Sequence, residues 1–169
     1  MRVVAALLAL VVVAGCGGDP EPKEPKSVPT ASTTPTATPP TMPAQAKENS
    51  PEGAAAFVKH YIDVFNYASN TEDITELSRL SSPKCDGCQR YIKLDRSTYA
   101  DGGYVKGGAW KSGVMNLEFG PPETFVTTTV TSLASRYRLT RTSEEKSSKR
   151  TRTKLTYAVS RGSDGWIVT

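Results

Sequence analysis

Histidine and cysteine are scarce in this chain of 169 residues: His60 is the one histidine, and Cys16, Cys85 and Cys88 are the three cysteines. This scarcity excludes metal and acid–base sites that need several His or Cys side chains. The apolar run at residues 3–13 is too short to cross a bilayer, which takes roughly 20 apolar residues. Charged residues make up 22% and hydrophobic residues 37% of the chain, which is compatible with one folded domain diluted by disordered sequence.

The first sixteen residues have the order of a secretory signal. One positive charge precedes the apolar run at 3–13, and two small residues precede Cys16. The sequence Val-Ala-Gly-Cys at 13–16 resembles the bacterial lipobox, in which the cysteine is acylated and the peptide is cut before it. We therefore expect residues 1–15 to be a lipoprotein signal peptide and Cys16 to carry the lipid that holds the chain on the extracytoplasmic face of the cell membrane. An ordinary cleaved signal with an incidental cysteine is the alternative.

The segment from Cys16 to residue 49 has the composition of a disordered tether. Pro, Thr, Ser and Ala dominate it, and it contains neither an aromatic residue nor an apolar periodicity. Such a sequence cannot bury enough surface to offset its ordering entropy, and proline keeps it extended. A plain spacer is one interpretation, and an O-glycosylated stalk is the other.

The folded part, residues 50–169, opens with three predicted helices. Ser50 followed by Pro51 is a typical helix start, and apolar residues at 54, 57, 58, 61, 62 and 65 form one stripe of a helix that ends near Asn70. We expect Thr71 to cap a second, short helix with inward residues at 74, 77 and 80. A third helix is predicted over residues 87–99.

Glycine and β-branched residues replace this helical pattern after residue 101. Strands are predicted at 114–119, 123–133, 136–142, 151–159 and 166–168. In the fourth of them, Leu155, Tyr157 and Val159 alternate with Lys154, Thr156 and Ala158, which indicates one buried and one wet face. Helices followed by an antiparallel meander predict an α+β layer architecture.

This order of elements, ending in Gly-Trp-Ile-Val at 165–168, resembles the nuclear-transport-factor-like fold. That resemblance implies three helices packed on a curved antiparallel sheet in the shape of a cone. More narrowly, Ser-Pro-Glu-Gly-Ala-Ala-Ala-Phe at 50–57, His-Tyr at 60–61, Asn-Tyr-Ala at 66–68 and Cys-Asp-Gly-Cys at 85–88 resemble an uncharacterised family of actinobacterial lipoproteins. The family brings no activity with it, and the cone fold serves enzymes and binding modules alike.

Cys85 and Cys88 form the sharpest local motif. In an exported protein, two remaining cysteines predict a disulfide, here between the second and third helices. A thiol–disulfide redox site is one alternative, because a helix start lowers a thiol pKa. A zinc site is the other, although two thiolates and one distant His do not fill a tetrahedral shell.

The candidate residues for a pocket come from helix one and from the strand faces, as the cone fold implies: Tyr61, Asp63, Trp110, Glu118 and Tyr157. His60 is expected at the boundary of the apolar stripe, and as a general base it would need Asp63 to orient it. No Gly-x-Ser-x-Gly elbow is present, and the glycines at 102–103 and 107–108 match no nucleotide-binding loop, so we expect them in hairpin turns.

Basic residues are concentrated near the C-terminus, and we expect them to form a basic surface of Arg136, Arg138, Arg141, Lys149, Arg150, Arg152 and Lys154. Outside the membrane such a surface favours anionic headgroups or wall polymers over nucleic acid. The alternative is a solubilised sheet face that protects an edge strand.

Two functions are consistent with this sequence. The first is a non-catalytic module of the cell envelope that binds a partner protein, a wall polymer or a small apolar ligand. The second is an enzyme of the dehydratase or isomerase type with its site in the cone. We expect no cofactor, and an enclosed cavity with two convergent titratable groups would favour the enzyme.

Overall fold

The computed structural model describes residues 37–169. The predicted signal peptide, Cys16 and the first part of the predicted tether lie outside the described residues. Within them, three α-helices are followed by seven strands in two antiparallel sheets, which confirms the α+β class. The helices are α1 (Pro51–Thr71), α2 (Thr75–Arg79) and α3 (Asp86–Ala100).

Local interactions define the two ends of α1, and those at its start are the ones that the sequence predicted. The Ser50 hydroxyl accepts a hydrogen bond from the Gly53 amide at 3.0 Å, and Pro51 occupies the first turn. At the far end Glu72 adopts a left-handed conformation (φ 64°), which stops the helix. Thr71 is the last residue of α1, so the prediction that it caps the second helix is wrong. The Asp73 carboxylate accepts from the Thr75 amide at 3.0 Å instead.

The seven strands are β1 (Tyr104–Gly107), β2 (Trp110–Glu118), β3 (Thr124–Ser132), β4 (Ser135–Arg138), β5 (Lys146–Ser148), β6 (Thr151–Gly162) and β7 (Gly165–Val168). One sheet has the order β2-β3-β6-β7 and the other the order β1-β4-β5. The predicted strand at 136–142 ends early because the Thr140 and Ser143 side chains bond across a turn. β1 and β5 were not predicted, and β2 begins before the predicted residue 114.

The glycines at 107 and 108 form a bend rather than the hairpin turn expected of them. The chain runs from β1 into β2 through these two glycines. Their partner strands are also consecutive, since β3, which pairs with β2, is followed by β4, which pairs with β1. Both glycines have positive φ, at 78° and 73°, and a Cβ at Gly107 would lie 2.9 Å from the Ala134 carbonyl oxygen. The two sheets are therefore two halves of one bent array of strands.

The core lies between α1 and the inner face of the four-stranded sheet, closed on one side by α2 and α3. A fully buried Val or Phe side chain contributes about 1.5–3 kcal/mol through the hydrophobic effect. The largest fully enclosed apolar side chains are Phe57, Val58, Val64, Leu77, Leu80, Val126 and Val159. His60 is also in this interior, with 2% of its surface exposed, so its predicted boundary position is wrong.

A short 3-10 turn, Gln45–Lys47, precedes α1 within the segment assigned to the tether. Ala46 is buried, the Trp166 indole donates to the Glu48 carbonyl at 2.9 Å, and the Arg161 guanidinium donates to the Lys47 carbonyl at 2.7 Å. These contacts join the turn to the C-terminal hairpin. The packed part of the chain therefore extends upstream of residue 50.

Candidate functional site

The first candidate site is a half-open cavity of about 320 Å³, which we call the aromatic cavity. At least one aromatic ring of the cavity comes from each of α1, α3, β2 and β6. The disulfide-bonded pair at the start of α3 completes one wall. Its main lining side chains are Tyr61, Phe65, Leu77, Cys85, Cys88, Tyr91, Trp110, Leu155 and Tyr157.

The structure brings together three of the five predicted pocket residues. Tyr61, Trp110 and Tyr157 line the aromatic cavity, and the rings of Tyr61 and Tyr157 meet edge to face at 6.1 Å. Asp63 is on the exposed face of α1, where it pairs with Lys59 at 3.6 Å. Glu118 lies at the exposed end of β2, opposite Phe125. Neither carboxylate lines the aromatic cavity.

The tyrosines of the aromatic cavity are held in their neutral form. Burial raises the pKa of Tyr61, whose hydroxyl shares a 2.8 Å hydrogen bond with Ser81. Burial raises the pKa of Tyr91 to about 12, and its hydroxyl bonds Ser69. Burial also raises the pKa of Tyr157, with a smaller contribution from Tyr61. These hydroxyls are suited to hydrogen bonding with a ligand and are poorly suited to giving up a proton near neutral pH.

Cys85 and Cys88 are joined by a disulfide, as predicted from their spacing. Cys85 is the N-cap of α3, and its sulfur accepts from the Cys88 amide at 3.3 Å. Both residues pack against the core, and both line the aromatic cavity. The pair therefore fixes the start of α3 and supplies part of the cavity wall.

His60 does not act with Asp63 in this structure. Burial lowers the pKa of His60, so its imidazole is neutral near pH 7. Its Nε2 has no hydrogen-bond partner among the described residues, and Asp63 is engaged by Lys59. The predicted orienting pair is therefore not formed.

A second cavity, of about 440 Å³, shares the Phe65, Tyr91 and Trp110 side chains with the aromatic cavity, and we call it the acid cavity. Phe65 is 4.1 Å from Tyr91 and 4.2 Å from Trp110 between ring centroids. The Asn66 side chain fixes the Trp110 backbone, accepting from its amide at 2.7 Å and donating to its carbonyl at 2.9 Å. The rings of Phe65, Tyr91 and Trp110 are common to both cavities, and we call them the aromatic wall.

Asp95 in the acid cavity was not found from the sequence. Only 4% of its surface is exposed, its Oδ2 has no hydrogen-bond partner among the described residues, and burial raises its pKa to about 6. A signal was present: Cys88, Tyr91, Ile92 and Asp95 occupy positions i, i+3, i+4 and i+7 of α3, so the aspartate falls on the inward stripe.

The predicted basic surface is divided between the two sheets. Arg150, Arg152 and Lys154 converge with Lys111 in an open groove on the outer face of the four-stranded sheet. Arg136 belongs to the three-stranded sheet, where it pairs with Glu145 at 3.8 Å. The predicted residues Arg138, Arg141 and Lys149 do not line the groove.

The chain belongs to a family of unknown function (DUF6318), which it matches over residues 27–169. No curated protein matches it. Among solved structures it is similar to the intermembrane space region of the chloroplast protein ARC6, with a TM-score of 0.52 and 11% sequence identity. That similarity covers 71% of this chain and 92% of the other one, and at such low identity it shows the fold alone.

Across residues 37–169, no three His, Cys, Asp or Glu side chains lie close enough to hold a metal ion together. Over the same residues, none of the helices is long and apolar enough to cross a membrane.

Proposed function

We propose that this protein is a lipid-anchored module of the cell envelope whose aromatic cavity binds a small apolar ligand. The observation that carries the proposal is the cavity lining, which joins five aromatic rings, a disulfide and aliphatic side chains around about 320 Å³. Cavities of roughly 300 Å³ and above, mostly apolar and with a few polar groups, are typical of small-molecule sites. The Tyr157 hydroxyl offers a polar group that can orient such a ligand.

The lining also favours binding over catalysis. A dehydratase or isomerase needs a general acid or base whose pKa lies near the working pH. The titratable groups of the aromatic cavity are tyrosines whose pKa values burial raises above the ordinary 10.0. The enzyme hypothesis therefore has less support than the binding hypothesis.

The nuclear-transport-factor-like cone is the form we propose for the fold. Its support is the order of three helices before the strands, α1 packed on the inner sheet face, and the bend at residues 107–108 that curves the strand array. An experimental structure of the mature chain would test the cone. Two flat sheets, or a curved array with α1 on its convex side, would contradict it.

The location is proposed from the sequence at 1–16 and is tested separately. We expect the chain with Cys16→Ser to lose its lipid and to leave the membrane fraction, whereas Cys85→Ser would leave anchoring intact. Metabolic labelling with an alkynyl fatty acid and fractionation of the cells would measure both. A Cys16→Ser chain that stays fully membrane-bound would contradict the lipid anchor.

Ligand binding is tested by filling the aromatic cavity without disturbing the fold. Gly87 lines the cavity, and a Cβ added there meets no atom within 4 Å. Because Gly87 is exposed, we expect Gly87→Leu to place a side chain over the mouth of the cavity while the protein stays folded. Gly162 has the same free space around a Cβ but lies outside the cavity, so Gly162→Leu is the matched control.

The assay uses the mature chain with Cys16→Ala, so that it is released without lipid, and the neutral probe N-phenyl-1-naphthylamine. We expect the probe to gain fluorescence with the Cys16→Ala chain and with the added Gly162→Leu substitution. With added Gly87→Leu, its affinity should fall at least tenfold. Equal affinity for all three chains, or no binding to any of them, would refute the proposal.

A further inference from the structure

The acid cavity holds a carboxyl group that nothing else in the described residues neutralises. Asp95 is 4% exposed, and its Oδ2 has no hydrogen-bond partner. The three salt bridges found within residues 37–169 do not include Asp95. Buried carboxylates are almost always paired or hydrogen-bonded, because the loss of hydration is costly otherwise. An unpaired one that lines a cavity indicates a missing cationic partner.

The surroundings of Asp95 suit an organic cation. Phe65, Tyr91, Trp110 and Tyr137 line the same cavity, and aromatic faces attract ammonium groups through their quadrupoles. Asp95 is the one charged residue in the lining, so a cation meets no repulsion there. An inorganic cation such as Ca²⁺ is usually held by several carboxylates, and no three His, Cys, Asp or Glu side chains cluster anywhere within residues 37–169.

The rim of the acid cavity suits the hydrocarbon part of such a ligand. Leu94 and Leu139 both line the cavity and are among the large apolar side chains left exposed, at 53% and 43%. Exposed apolar groups beside a concave site are typical of ligand contacts. The cavity of about 440 Å³ has room for an ammonium group with an aryl or alkyl substituent.

We propose that the acid cavity is a binding site for a small organic amine, with its ammonium group on the Asp95 carboxylate and against the aromatic wall. This site is separate from the aromatic cavity and does not depend on a ligand there. The apolar rim receives the substituent of the amine. Asp95 acts in this site as the counter-ion.

The experiment compares phenethylamine with 2-phenylethanol, which has a similar shape and no charge. Both are titrated into the mature chain with Cys16→Ala at pH 7.5, and the indole N–H signals of Trp110 and Trp166 are followed by NMR. We expect the amine to bind at least tenfold more tightly than the alcohol. Trp110 should shift on binding, whereas Trp166, which lies outside the acid cavity, should not.

Added Asp95→Asn keeps the shape of the side chain and should lose at least tenfold in affinity for the amine while leaving the alcohol unchanged. Asp63→Asn, at an exposed carboxylate on α1, is the matched control and should leave both affinities unchanged. Equal affinities for amine and alcohol, an equal loss of both in Asp95→Asn, or no binding would overturn the proposal. Gly87→Leu should leave amine binding intact, so failure here is distinguishable from failure of the apolar site.

Discussion

Replacing Asp95 with asparagine should change how the stability of the protein depends on pH. Burial raises the pKa of this carboxyl from the ordinary 3.8 to about 6 in the folded chain. Between those pH values the folded protein binds more protons than the unfolded chain, so its free energy of unfolding falls as pH rises. The free energy of unfolding begins to fall at a pH near the pKa of Asp95 in the unfolded chain. The fall is complete just above the pKa of Asp95 in the folded protein.

The two pKa values set the size of the effect. One pKa unit corresponds to about 1.4 kcal/mol, so ionised Asp95 costs the folded state about 3 kcal/mol in total. Between pH 4 and pH 8 this ionisation lowers the free energy of unfolding by roughly 2 kcal/mol. Burial, with a smaller contribution from Asp95, raises the pKa values of Tyr91 and Tyr99 above 10.0, so both stay neutral over this range.

Urea unfolding of the Cys16→Ala chain and of its Asp95→Asn variant, from pH 4 to pH 8, measures the effect. We expect the variant to gain about 2 kcal/mol on the parent chain as pH rises, with most of the gain complete by pH 7. Asp63→Asn should show no such gain. A difference between parent and Asp95→Asn that stays constant from pH 4 to pH 8 would refute the claim that a buried, unpaired carboxylate destabilises the fold.

Three further predictions concern stability and use the same unfolding assay. Reducing the Cys85–Cys88 disulfide should cost about 2 kcal/mol, because the closed loop is short; an unchanged urea midpoint would contradict this. Tyr61→Phe should cost about 1 kcal/mol through the lost hydrogen bond to Ser81, and a neutral effect would mean that this bond adds nothing. Gly107→Ala should cost about 1–3 kcal/mol, because φ is positive and a Cβ would press on the Ala134 carbonyl; wild-type stability would argue against the bend.

Much of the fold could be predicted because local signals and tertiary packing agree. Ser50 and Pro51 set the start of α1, and the alternation around Leu155, Tyr157 and Val159 set the faces of β6. β1 and β5 could not be predicted, since both are short and the sequence Lys-Ser-Ser of β5 has no apolar face. Their pairing with β4 depends on the bend at residues 107–108, which local sequence does not reveal.

The candidate sites were only partly predictable. Tyr61, Trp110 and Tyr157 line the aromatic cavity because these aromatic residues lie on faces that pack against the core. Asp63 and Glu118 were chosen for their chemistry, yet both lie on wet faces. Asp95 was missed because a carboxylate in a helix is normally solvated. Its place on the buried face of α3 follows from its spacing to Cys88, Tyr91 and Ile92 and is hidden when residues are sorted by polarity alone.

The turn at Gln45–Lys47 has a mechanical consequence. The Trp166 indole and the Arg161 guanidinium donate hydrogen bonds to the backbone carbonyls of residues 48 and 47. These bonds connect the N-terminal end of the domain to its C-terminal hairpin. A force that pulls on the chain upstream of this turn would load the β6–β7 hairpin before it stretched α1. These two hydrogen bonds would therefore bear the load first, and the aromatic and acid cavities would keep their shape under tension.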